Sequence, residues 1–137
     1  MSPELRNSDG ETPTDAQETL VEYLLTEEQR TSLEPYELVA WAISSEAIQR
    51  PFNFSDQREK ELLLEIIEAK TGLNAKAAME ARKELQHRGY VTHKVNPAAP
   101  HHLWLQLTNS GQRALSNKMA AIGAVERHFV PTLYESE

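Results

Sequence analysis

The side chains with the most chemistry to offer lie between residues 71 and 113. Lys76, Arg82, Lys83, Arg88, Lys94 and Arg113 stand there against only Glu80 and Glu84, a local net charge of +4, and His87, His93, His101 and His102 share the stretch. Residues 1–30 carry a net −6, residues 31–70 a net −4 and residues 114–137 a net −1, so the 137-residue chain totals −7. A basic segment inside an acidic chain suits an anionic partner, because the local field governs what docks there. The spacing sharpens this. Ala78, Ala81 and Leu85 recur at helical intervals and predict a narrow inner face. Asn74, Lys76, Ala77, Glu80 and Lys83 are then left facing outward. Asn74 is a good helix cap, and its amide and the neighbouring free N–H groups can meet a phosphate. Lysine suits phosphates and guanine edges, whereas Glu80 can accept from a cytosine amine but repels phosphate.

Other chemistries have little support. The chain contains no cysteine, which removes disulfides, thiolate metal sites and cysteine nucleophiles. It has no glycine-rich phosphate loop, nucleophile elbow or HExxH pair, and no enzymatic activity is expected. The run Glu59, Glu61, Glu65 and Glu68 reads as a solvated helix face. His101 and His102, with His93 nearby, invite a metal. Adjacent strand residues point to opposite faces, however, and no acidic residue lies close in sequence, so neither metal nor cofactor is expected.

Several elements must position these residues. Thr14 with Gln17 forms a capping-box pattern, and Leu20, Val21, Leu24 and Leu25 then predict a helix over 15–30. Pro35 opens a second helix carrying Val39, Ala40 and Ile43, which Pro51 ends. Phe52 and Phe54 are expected in a loop that plugs the core. Asp56 with Glu59 starts a third helix that ends at Thr71-Gly72. A fourth helix follows Asn74 almost at once and ends at Gly89. The period then changes to two. Residues 90–95 and 103–107 predict two strands around Asn96-Pro97-Ala98-Ala99-Pro100, whose prolines cannot donate to a ladder. Thr108 caps a last helix over 109–128. Helix, tight turn, helix, hairpin is the layout of a winged helix-turn-helix. The expected fold class is therefore mainly α with a small β-hairpin wing. Residues 1–13 are expected to be a disordered acidic tail, 14–130 a single domain with flanking helices, and 131–137 a flexible tail.

Three segments resemble the MarR/PadR-type winged-helix regulators. Thr71-Gly72-Leu73-Asn74 is similar to that family's turn before the recognition helix. Glu84-Leu85-Gln86-His87-Arg88-Gly89-Tyr90-Val91 resembles its exit into the first wing strand, L-x-x-x-G-[LY]-[VI]. Leu107-Thr108-Asn109-Ser110-Gly111-Gln112-Arg113-Ala114-Leu115 resembles its L-T-x-x-G-x-x-x-L. The match spans about Glu61 to Leu115. It implies a DNA-binding transcriptional regulator, repressor-like and dimeric, with Lys76, Ala77, Glu80 and Lys83 near the major groove. The wing departs from the family, having no arginine at its tip. Lys94, His101 and His102 are its only donors.

The expected partner is thus double-stranded DNA, bound by a homodimer. The alternative is a protein-interaction adaptor of a phage, plasmid or replication system without sequence-specific DNA binding. It draws on the missing wing arginine, the alanine-rich recognition helix and the net acidity. A ligand-gated version would place a small-molecule pocket among Trp41, Phe52, Phe54 and Trp104. The first residues lack the basic-then-apolar order of a signal peptide, and no apolar run is long enough for a membrane span, so a cytoplasmic location is expected.

Overall fold

The computed structural model describes residues 19–131. The capping pattern at Thr14, the acidic tail over 1–13 and all but the first residue of the tail over 131–137 lie outside them. The described chain runs β1 (Leu20–Leu24), α1 (Glu27–Thr31), α2 (Pro35–Ile43), β2 (Phe52–Asn53), α3 (Gln57–Thr71), α4 (Ala75–His87), β3 (Val91–Asn96), β4 (Ala99–Leu107), α5 (Asn109–Ile122) and β5 (Val125–Phe129). One antiparallel sheet has the order β2-β4-β3, and the other joins β1 to β5. This is a mixed α/β architecture, which corrects the expectation of a mainly α chain with a small hairpin wing.

Three local misreadings account for the correction. First, Leu20, Val21 and Leu24 belong to a strand rather than to a helix over 15–30, and Leu25 follows its end. Its partner is β5, with Leu20 opposite Phe129 and Leu24 opposite Val125. A pairing across that sequence separation leaves no local periodicity to read. The helix that does form nearby is one short turn. It starts at Thr26, where Thr26 and Gln29 make the reciprocal bonds of a capping box. Second, the last helix stops at Ile122 and not near His128. Gly123 takes a left-handed conformation with φ 72° and turns the chain out into β5. Third, Phe52 lies in a short strand that pairs with β4, with Phe52 opposite Leu103. The hairpin is thereby a three-stranded sheet.

β3 and β4 also differ in extent from the expected hairpin strands. β4 begins at Ala99 and takes in Pro100, which was expected to lie in the turn. The ladder tolerates the proline because its register has already shifted between Val95 and Asn96, and β2 pairs no further along β4 than His102.

The core is one cluster. α2 contributes Val39, Ala42 and Ile43, α3 contributes Leu63 and Ile67, α4 contributes Ala78, Ala81 and Leu85, and α5 contributes Leu115 and Met119. Phe52 and Leu105 close it from the sheet. The β1–β5 ribbon is tied on by Trp41, whose Nε1 donates to the Tyr23 carbonyl at 2.6 Å. A charged network fixes it as well. The buried Glu22 carboxylate accepts from Arg127 Nη2 at 2.8 Å and meets Lys70 Nζ at 3.6 Å, and Arg127 also bonds Glu46. Burying a carboxylate is costly unless cations meet it, and here two do.

Candidate nucleic-acid interface

α4 is placed by its two ends and its inner face. α3 terminates on Gly72, with φ 80°, and the Gly72 N–H donates to the Glu68 carbonyl. Two residues later Asn74 caps α4, its Oδ1 accepting from Ala77 N at 2.8 Å. That bond commits the amide oxygen and leaves the NH2 group of an exposed side chain pointing outward. Ala78 and Leu85 are fully buried and Ala81 nearly so. The two alanines let α4 lie close against α2. The C-terminal end is held by α5. Thr108 Oγ1 donates to the Gly89 carbonyl at 2.7 Å. Thr108 N donates to the Tyr90 carbonyl at 2.9 Å. Gly111 lies against the same Tyr90 carbonyl. The segments Gly89-Tyr90 and Thr108…Gly111, read separately in sequence, are therefore two halves of one clamp that sets the angle between α4 and the sheet.

The structure brings Lys76, Glu80 and Lys83 together on the exposed face of α4, with Asn74 exposed at its start. None of the ion pairs among the described residues involves Lys76, Glu80 or Lys83. Ala77 lies on the flank and is half-buried. Sequence reasoning missed Met79, which is 52% exposed, and His87. Both follow from the same spacing, since Met79 is three residues past Lys76 and His87 four past Lys83.

The other basic residues divide. Arg88 is engaged by Glu84 at 2.7 Å and lies 4.2 Å over the Tyr36 ring. Arg82 is half-buried on the inner flank, and burial lowers its pKa from the ordinary guanidinium value. Its charge is felt at His93 on β3. Because strand residues alternate, Lys94 falls on the face of the sheet away from His93 and hence away from α4. It pairs in register with Trp104, and its Nζ lies 5.2 Å from that ring. His101 and His102 likewise take opposite faces. His101 is exposed, while His102 Nδ1 is buried without a hydrogen-bond partner. The α4 lysines and Lys94 therefore do not share one surface. Among the described residues no three His, Asp or Glu side chains are grouped to hold a metal ion, and no helix is long and apolar enough to cross a membrane.

His93 links α4 to the three-stranded sheet. Its ring meets Phe54 edge-on at 5.9 Å, and its Nε2 is buried and unpaired. Burial first, and the Arg82 charge second, hold its pKa below the ordinary imidazole value. The unfolded chain takes up this proton near pH 6.5, before the folded one does, so stability falls as pH drops from about 6.5 toward the depressed value. The expected result is a stability difference between His93→Leu and the parent that moves in favour of the variant as pH is lowered from 7.5 to 5. Urea denaturation at each pH measures it. Parallel curves over that range count against the buried neutral imidazole.

The positioning elements, and not a recognised relative, carry the functional argument. No family model, no curated protein and no solved structure matches this chain.

Proposed function

We propose that the chain binds duplex DNA through α4, as a small repressor-like regulator of transcription. The observation that carries this is the outward face of α4, where Lys76 and Lys83 stand exposed with no ion-pair partner among the described residues. A tight left-handed turn and a capped N-terminus deliver that face. Lysines two helical turns apart can meet phosphates on the walls of a groove, while Asn74 offers its amide at the helix start. Glu80 lies between the lysines and would favour a cytosine amine at that position. Two copies acting on a two-fold symmetric site, in the cytoplasm, complete the proposal.

One observation favours a protein partner instead. Met79 is exposed on the same face, and a flexible thioether beside mixed charges is typical of adaptable protein contacts. Fluorescence anisotropy with a randomised duplex pool and with single-stranded DNA, at low and moderate salt, separates the two. Duplex binding that weakens steeply with salt and enriches a symmetric site supports the regulator. Absence of binding at low salt selects the adaptor.

A further inference from the structure

The face of the sheet that carries Lys94 forms one side of a groove of about 760 Å³. β1 and the first turns of α5 form its other walls. That volume falls within the usual range for small-molecule sites. The charge of the lining is one-sided. Among the described residues it includes Lys94 and Arg113 and no Asp or Glu, in a chain whose net charge is −7. Neutral hydrogen-bonding side chains make up much of the rest, among them Thr92, Gln106, Asn109 and Ser116. The aromatics that a ligand-gated version would use are not among its lining. Trp41, Phe52 and Trp104 are buried in packing, at 4%, 0% and 3% exposure, and Phe54 packs against the core.

A second cavity, of about 330 Å³, shows what an internally satisfied basic pocket looks like. Its Arg30 donates to the Lys70 carbonyl, and its Lys70 meets Glu22 and the Trp41 ring. In the large groove Arg113 takes part in no ion pair among the described residues. Lys94 has the Trp104 ring beneath it. Two cations over a polar lining favour an anionic ligand with a hydroxylated body over an apolar or stacking one.

We propose that this groove binds a small phosphorylated polar molecule of sugar-phosphate size, with Lys94 and Arg113 supplying the charge. The site is separate from α4, and the inference does not rest on DNA binding. Glucose 6-phosphate is the probe, titrated into the full ¹⁵N-labelled chain at constant ionic strength, with glucose and citrate as parallel arms. Saturable shifts are expected at the amides of Thr92, Gln106 and Asn109, with the α4 amides of Lys76 and Lys83 unmoved. Lys94→Gln and Arg113→Gln should each weaken binding at least tenfold. Lys60→Gln, on the exposed face of α3, should change it less than twofold. Shifts that never saturate, shifts centred on α4, full affinity in both groove variants, or equal binding of glucose would each overturn the proposal. Tighter binding of citrate would overturn the phosphate assignment.

Discussion

Replacing Lys76 and Lys83 together by alanine is expected to lower duplex affinity more than tenfold at low salt and to flatten its salt dependence. Each lysine that neutralises a phosphate releases condensed counterions, and the log–log slope carries about 0.9 per contact. The double variant should therefore lose nearly two units of slope, and each single variant about one. The fold should survive, because both side chains are exposed and alanine is the best helix former. Lys118→Gln is the matched control for a lost positive charge. Its ammonium meets Glu37 at 3.8 Å, so it has a partner within the chain, and both affinity and slope should stay near the parent's. Anisotropy titrations at four or five salt concentrations give both quantities. A slope unchanged in the double variant would remove this face of α4 from the interface, even if affinity fell for other reasons.

The same face shows how much of the site could be read from sequence. The spacing of Ala78, Ala81 and Leu85 set the rotation of α4, and Lys76, Glu80 and Lys83 followed from it, because a regular helix fixes each residue's direction by its number alone. Gly72 and Asn74 located the turn, since few residues suit a left-handed stop or a helix cap. What could not be read depended on a second element. Arg82 and Arg88 look alike in sequence, yet one leans toward His93 and the other is spent on Glu84 and Tyr36. Lys94 reads in sequence as a donor at the base of the hairpin, and sheet alternation carries it to the face opposite His93. The β1–β5 ribbon was illegible for the same reason. Leu20 through Leu25 satisfies a helical stripe as well as a strand, and only β5, about a hundred residues on, decides between them. Phe52 reads as a core residue and is buried, but its strand is two residues long and is defined by β4.

Gly111→Ala should be the most damaging alanine substitution among the glycines of the described residues. A Cβ at that position would sit 2.2 Å from the Tyr90 carbonyl oxygen and 3.0 Å from the Tyr90 carbonyl carbon and Cα. All three obstacles are backbone, so no rotamer change relieves them. The carbonyl cannot retreat freely either, because it accepts from Thr108 N, and Tyr90 N donates to the Leu85 carbonyl at 2.9 Å. Overpacking costs about 1–3 kcal/mol where side chains can adjust, and here the cost should reach the top of that range. Helix propensity pulls the other way, since alanine is favoured over glycine by about 1 kcal/mol within a helix. The expected net loss is about 2 kcal/mol or more, seen as a lower urea midpoint at unchanged slope. Gly89→Ala is the instructive comparison. Gly89 has φ 73° with open space around it, so that variant should lose only about 1 kcal/mol, from conformation alone. A Gly111→Ala chain as stable as the parent would mean that α5 can step back from Tyr90 at little cost. The clamp that fixes α4 against the sheet would then be loose, and the rigid presentation of Lys76 and Lys83 would need another source.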